Sequence, residues 1–512
     1  MIVRLLARVA VWGLALVAIA SYVMLGWKRL HYPLELDCIE GVILDHVVRL
    51  AHGQPIYVAP SLEFIPLAYM PLFVTVSSFL ARIWAPALWE PRLVSFVSSL
   101  LVTGLIAGVV LAETRRATMA VAGAGIYAMG YGFVGGSYDI ARPDSFMLLL
   151  AFSGLAVLRA TRGIPGAIVS ALLLSLAFFA KQHAMLFAWG AVLHLLVTDR
   201  RRAVPFMIAL VVGTSGVYWL ISMWLGPWFR FYTYEVPKGW SEFSHGRLVA
   251  YLGDGLFGQM AAMSIPCVLA LGSGERPWRS PSGLWMWTGL AGLGTGVLAT
   301  LDPWAYRHVF TPTIVALAIL GPISLDRLAR QLEAGTSAGR GLGTAVAYWV
   351  LALQFLPLLY PVRSQMPRPG ASEAHAELLA RVKALPGPVM IPYHPFFAWQ
   401  AGEHSGLDMI ALDDIGRAHG NSYLRRDPHA LERMFAPLRS GPGRPSLVTD
   451  LPLDRMGPLW VAIAPGYALR ESFPEEFSNT LRPVTGNRRT PTYVYVPVES
   501  AAADSAVTAS RR

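Results

Sequence analysis

About eleven apolar runs, joined by short loops that carry arginines, constrain this chain more than anything else in it. They are Val9–Trp27, Leu93–Ala112, Ala117–Val134, Ser145–Leu158, Ile164–Ala180, Ala184–Val197, Ala203–Leu225, Gly255–Leu271, Gly283–Leu301, Val309–Leu325 and Gly341–Tyr360. Runs of this length match the hydrocarbon thickness of a bilayer, and the shorter ones are expected to extend into their flanks. Hydrophobic residues make up 54% of the chain and charged ones 14%, against about 25% charged in a soluble domain. A soluble fold could not cover itself with so little polar surface. The fold class is therefore an all-α polytopic membrane protein. The first run contains a small-x-small pattern at Ala18-Ile19-Ala20, which would suit signal-peptide cleavage. It continues through Tyr22, Val23, Met24 and Leu25, which favours an uncleaved anchor.

The net charge of +10 does not point to nucleic acid, because the basic residues do not gather on one stripe. They lie between apolar runs, where positive charge sets membrane orientation. Cys38 and Cys267 are too few for a disulfide framework or a zinc cluster.

One further apolar stretch, Ile65–Ile83, decides the topology. If it spans, Arg115-Arg116, Arg159 with Arg162, Arg200-Arg201-Arg202, Arg276 with Arg279, and Arg327 with Arg330 all fall outside, against the positive-inside rule. If it lies along the outer face as an interfacial helix broken by Pro66 and Pro71, all of them become cytoplasmic. The second reading is the one adopted, and parity then puts the chain after Tyr360 outside.

With that topology the outer face receives Asp37, Glu40, Glu63, Asp139, Arg142, Asp144, Lys181, His183, the loop Gly226–Tyr251, Asp302 and Arg307. Ionisable groups at membrane depth are functional candidates. Asp37 and Glu40 share a helical face if residues after Leu36 are helical, so two carboxylates can divide general-base and positioning work. The same spacing also fits a helix cap, with Glu40 at the third helical position. Asp144 equally suits a cap, and Arg142 a simple pair with Asp139. Lys181-Gln182-His183 sits in a tight turn between two apolar runs; the lysine either snorkels or neutralises an anionic head group. Trp304 and Tyr306 suit an interface belt or a ligand contact, and the aromatic loop 224–251 suits a lid over an amphiphilic substrate.

Taken together, an acidic pair outside the first span, a Pro-containing interfacial helix, Ala141-Arg142-Pro143-Asp144 opening a later span and Lys181-Gln182 opening another resemble the GT-C superfamily of lipid-linked-sugar glycosyltransferases. The likeness runs from about Val9 to Leu325 and is to the branch of the protein O-mannosyltransferases and aminoarabinose transferases. It implies a polyprenyl-phosphate sugar donor and an extracytoplasmic acceptor in the cell envelope, with inversion at the sugar carbon. Asp37 falls on the catalytic aspartate and Glu40 on its acidic partner. Glu63 and Asp144 fall on further acidic positions and, with Asp139, Gln182 and His183, are expected to contact acceptor or sugar. Lys181, Arg307 and Arg142 would stabilise the leaving phosphate, with no metal and no cofactor expected. Phe64 stands where the aminoarabinose branch has a lysine, which argues against that particular sugar and leaves a hexosyl or pentosyl group open. The resemblance places the protein in a bacterial cytoplasmic membrane with its site on the periplasmic side. A transporter or flippase and a non-catalytic envelope subunit are the competing classes; no internal repeat favours the former.

Residues 1–361 are thus expected to form the membrane domain, 362–498 a small extracytoplasmic α/β domain, and 499–512 a disordered Ala/Ser-rich tail. Within the second, 387–392 and 459–464 read as short buried strands and 372–385 as an amphipathic helix. His394, Asp413 and Asp414 suit either a second site or, the commoner case, scattered surface polar residues. The topology predicts that a membrane-impermeant thiol reagent applied to sealed cells labels cysteines placed beyond Tyr360 and not Ser337→Cys; the reverse pattern would overturn it.

Overall fold

The structure is a computed structural model that describes residues 1–512 except 241, 272–276, 303–305, 336–340, 442 and 499–512. Arg276, Trp304, Ser337 and the 499–512 tail discussed above lie outside the described residues. The chain opens with α1 (Ile2–Leu30), α2 (Ile39–Ala51), α3 (Leu72–Ile83), α4 (Trp89–Thr114), α5 (Ala117–Phe133), α6 (Asp144–Ala160), α7 (Ile164–Ala180) and α8 (Met185–Thr198). Helical segments at Arg200–Leu225, Ala261–Leu271, Gly283–Ala299, Thr311–Gly335 and Leu342–Gln354 follow.

Each apolar run thus falls on a helix, yet length divides them. Among the described residues, Ile2–Leu30, Trp89–Thr114, Arg200–Leu225 and Arg307–Ala334 are long and apolar enough to cross a membrane alone. His245–Gln259 with Ala261–Leu271 would make a fifth span across a 90° bend. The chain is an integral membrane protein, and the remaining runs form helices of 17 residues or fewer.

Helix α4 defines the two ends of the bundle, because 26 residues extend about 39 Å at about 1.5 Å each. At its start, Arg92 donates to the backbone carbonyls of Arg29 (3.2 Å) and Leu34 (2.6 Å), where α1 ends. At its finish, Arg330 donates to the Thr114 carbonyl at 2.8 Å, Arg116 pairs with Asp326 at 2.9 Å and Arg159 with Glu113 at 2.7 Å. The arginine-bearing loops therefore gather at one end, and the chain between α1 and α4 returns to the other without crossing. The 12 residues of α3 extend only about 18 Å, too short for a hydrocarbon core of roughly 30 Å. Both flanks of α3 are tied to α2: the Leu67 amide donates to His46 Nε2 (3.0 Å) and Arg82 to the Leu50 carbonyl (2.9 Å). The expected helix over 65–83 begins only at Leu72. Pro66 and Pro71 disfavour helical backbone at the residue before each, so 65–71 runs as irregular chain.

Beyond residue 371 a four-stranded sheet forms from β1 (Val389–Met390), β2 (Ser446–Thr449), β3 (Tyr467–Ser472) and β4 (Tyr493–Pro497), in the order β1-β2-β4-β3. β1 and β2 are parallel and the other pairs antiparallel. The amphipathic helix appears as Ala371–Lys383, burying Leu378 and Val382. The strand expected at 459–464 is instead a helix, Pro458–Ile463. Pro458 suits a first helical turn, and Trp460 and Ile463, three residues apart, bury one helical face. The apolar core beneath the sheet is continuous with the membrane-side loops: Val42, Ile43, Phe73 and Phe229 share it with Phe397, Leu412, Leu447 and Val494.

A buried polar clamp ties the same two regions together. His394, 1% exposed, lies between Glu35 (Nδ1 to Oε2, 2.5 Å) and Asp450 (Nε2 to Oδ2, 3.1 Å). Burial works against an imidazolium, but Asp450 and Glu35 outweigh it and hold the His394 pKa above its ordinary value. His394 is thus no surface residue. Removing one partner of a buried charge cluster costs about 3–5 kcal/mol, so His394→Ala should lower the melting temperature strongly and expose the 361–371 connection to protease. Double replacement of Glu35 and Asp450 by Gln and Asn in that background should recover part of the loss.

Candidate active site

The end of the bundle where α1 stops and α4 begins encloses a cavity of about 290 Å³. Its polar wall is assembled from chain breaks between helices. Asp37 comes from the loop before α2, Arg142 and Asp144 from the start of α6, and Lys181, Gln182 and His183 from the turn between α7 and α8. Asp302 and His308 precede the long helix Thr311–Gly335, and Asp414 and Asn487 come from the sheet-bearing segment. Leu67, Met147, Leu298, Val309 and Ile410 supply an apolar wall.

Asp37, Arg142, Asp144 and Lys181 form one chain. Arg142 Nη1 lies 3.5 Å from Asp37 Oδ2, Arg142 Nε lies 3.6 Å from Asp144 Oδ2, and Lys181 Nζ lies 2.8 Å from Asp144 Oδ1. Arg142 Nη2 also meets His308 Nε2 at 2.9 Å. The simple Arg142–Asp139 pair weighed from the sequence is absent, because Asp139 instead faces Arg29 (3.3 Å) and accepts from the Tyr131 hydroxyl (3.0 Å). Lys181 does not snorkel; it is 12% exposed at the side chain and bound to Asp144.

Asp37 is 3% exposed and accepts a bond from the Ile39 amide at 3.3 Å. Burial pushes its carboxyl up to about 6, opposed by the neighbouring Arg142 guanidinium. A carboxylate at that value is ionised at neutral pH and basic enough to take a proton. Glu40 is set back from the cavity. Its two oxygens accept from Arg92 at 2.8 and 2.5 Å, from the Ala141 amide at 2.8 Å and from the Leu36 amide at 2.6 Å. It holds the segments that carry Asp37 and Arg142 rather than facing the space between them.

Glu63 lies elsewhere, in a surface hollow with Tyr423 and Arg433. Arg307 opens onto an adjoining cavity that shares Asp37 and Arg142. Among the described residues no group of three or more His, Cys, Asp or Glu is arranged to hold a metal ion. The aromatic loop after Gly226 packs on the sheet-bearing segment: Trp240 Nε1 donates to the Asp414 carbonyl at 3.0 Å, and Trp228 meets Tyr423 edge-on. Sequence reasoning missed the contributions of His308, Asp414 and Asn487. Only His308 carried a signal, its adjacency to Arg307 at the start of an apolar run.

Neither a family model nor a curated protein matches this sequence. Solved structures do. ArnT from Cupriavidus metallidurans, in a crystal structure bound to undecaprenyl phosphate, superposes with a TM-score of 0.59 at 14% identity, over 94% of this chain and 98% of that one. AglB, the archaeal oligosaccharyltransferase of Archaeoglobus fulgidus in complex with an inhibitory peptide and a dolichol phosphate, superposes with a TM-score of 0.52 at 10% identity, over 86% of this chain and 69% of that one. Both are GT-C superfamily glycosyltransferases, ArnT being an aminoarabinose transferase, and this chain has their fold.

The sheet-bearing segment reaches the centre of the site through residues 485–488. The Thr485 amide donates to the Leu36 carbonyl at 2.9 Å. Gly486, at φ +62°, lies so close that a Cβ there would overlap the Asp37 carboxylate. Gly486→Ala should therefore displace Asp37 and abolish whatever turnover depends on it, while leaving helix content and expression near wild type. Circular dichroism beside an activity assay would read both.

Proposed function

We propose that this protein is a glycosyltransferase that moves a sugar from a polyprenyl-phosphate donor to an extracytoplasmic acceptor, with Asp37 as general base. The observation that carries the reading is the placement of Asp37 beside Arg142 and the Asp144–Lys181 pair in one half-apolar cavity at a membrane end. An apolar wall leading to cations suits a lipid tail ending in a phosphate. The fold shared with ArnT and AglB supports the same class.

In the proposed step an acceptor oxygen attacks the sugar C1 as the C1–O bond to the lipid phosphate breaks. The phosphate leaves with the bonding electron pair, and the acceptor proton passes to Asp37. Proton transfer comes late, since a carboxylate is too weak a base to ionise a hydroxyl beforehand. Arg142 and Lys181 offset the charge gained by the phosphate, while Gln182, His183 and Asp144 line the space for the sugar. Glu40 acts as a positioning residue through Arg92 and the two backbone amides it holds. The C-terminal residues 362–498 act as an extracytoplasmic domain that closes the site. On this reading the site and that domain face the periplasm of a bacterial cell, with the arginine-bearing end in the cytoplasm.

Loss of a general base costs about 10²- to 10⁴-fold in rate. Purified protein incubated with a panel of polyprenyl-phosphate sugars should release free lipid phosphate, followed by mass spectrometry. Asp37→Asn should lose turnover by that factor while binding undecaprenyl phosphate normally, and Lys181→Ala should weaken that binding. Because the base acts only when ionised, wild-type turnover should fall as pH drops through about 6, the value to which burial raises Asp37, and should level off above it. A broad panel without a single turned-over donor, together with an Asp37→Asn strain indistinguishable from wild type, would favour a transporter or scaffold instead.

A further inference from the structure

A second cavity of about 220 Å³ adjoins the first and shares Asp37, Arg142, Tyr306 and His308 with it. Its remaining wall comes from the loop after α5, at Val134, Gly135 and Ser137, from Arg307, and from Thr485, Gly486 and Arg488. The two cavities differ in charge. The first carries Asp37, Asp144, Asp302 and Asp414 against Arg142 and Lys181. The second, among the described residues, carries Asp37 alone against Arg142, Arg307 and Arg488.

The second cavity also has donors without acceptors. Arg307 and Arg488 are exposed and make no ion pair with any described residue; Arg307 lies over the Phe133 ring at 5.7 Å. Ser137 is only 6% exposed, lines the same space, and its hydroxyl has no hydrogen-bond partner among the described residues. A buried hydroxyl left unpaired carries a desolvation cost that a ligand oxygen would relieve. A guanidinium group can donate two N–H bonds side by side to two oxygens of a phosphate or carboxylate.

We propose that this second cavity is the acceptor pocket and that the acceptor carries a phosphate or carboxylate near its attacking oxygen. The assignment rests on the glycosyltransferase reading and extends it. The lipid-linked donor belongs in the first cavity because that cavity has the apolar wall, whereas among the described residues Val134 is the one aliphatic side chain lining the second. Asp37 stands on the boundary, so an oxygen entering from the second cavity reaches C1 from the side away from the leaving phosphate. The C1–O bond to the acceptor forms as the bond to the lipid phosphate breaks, and the acceptor's proton goes to Asp37. Arg307, read from the sequence as a donor ligand, becomes an acceptor ligand. Arg488 joins it as a specificity residue supplied by the sheet-bearing segment.

The test uses full-length protein in nanodiscs and isothermal titration with sn-glycerol 3-phosphate, glycerol and undecaprenyl phosphate. Glycerol 3-phosphate should bind with or without undecaprenyl phosphate present, and glycerol should not. The Arg307→Ala, Arg488→Ala double variant should weaken glycerol 3-phosphate by about tenfold or more, the loss expected when charge-assisted hydrogen bonds go. Its affinity for undecaprenyl phosphate should not change, which also reports that it is folded. Ser137→Ala should weaken glycerol 3-phosphate by a smaller factor.

Competition between the two phosphates, or loss of undecaprenyl phosphate binding in the double variant, would make the cavity part of the donor site and overturn the proposal. Equal binding of glycerol, or no binding of glycerol 3-phosphate to wild type, would overturn it as well. Failure of the wider glycosyltransferase reading looks different: wild type would not bind undecaprenyl phosphate at all.

Discussion

The arrangement of this end of the bundle depends on the ion pair between Arg92 and Glu40, both of whose side chains are fully buried. Arg92 stands at the start of α4 and directs its guanidinium at Glu40 and at the backbone carbonyls of Arg29, Tyr32 and Leu34. Glu40 in turn accepts from the amides of Leu36 and Ala141. One pair thereby joins the end of α1, the loop bearing Asp37, the start of α2 and the approach to Arg142. Buried pairs of this kind contribute little net stability, since the desolvation of two ions offsets their attraction. Their contribution is geometric: with all oxygens and most guanidinium protons engaged, few alternative packings satisfy the same groups.

Around that fixed point, the polar groups are arranged so that few buried charges stand alone. Arg29 faces Asp139, Lys181 faces Asp144, and His394 sits between two carboxylates. Low local dielectric makes such pairings strong and makes an unpaired ion costly. The rim at Arg307 and Arg488, by contrast, is exposed to solvent.

What could be read from the sequence was whatever sits at the end of an apolar run. Asp37, Arg142, Asp144, Lys181, Gln182 and His183 were marked by sidedness, because run ends alternate between two membrane faces, and the structure brings these six to one cavity. Glu40 was found by spacing but given the wrong neighbour: three residues from Asp37 implied a common face, while the side chain turns to Arg92, 52 positions away. Arg92 itself was hidden beside the run that begins at Leu93. The sheet was least legible. Its strands have two to six residues, too few for an alternating pattern to emerge, and β2 finds β1 and β4 across long stretches of chain. His394, Asp414 and Asn487 became visible only once those long-range pairings were known.

The place of Gly486 has a consequence for biosynthesis. It lies on the segment leading into β4, which is an interior strand of its sheet. During translation the turns carrying Asp37, Arg142 and Lys181 leave the ribosome well before residues 485–488. The contact of the Gly486 backbone with the Asp37 carboxylate can therefore form only after those turns have been made, once β4 is in place to pair between β2 and β3.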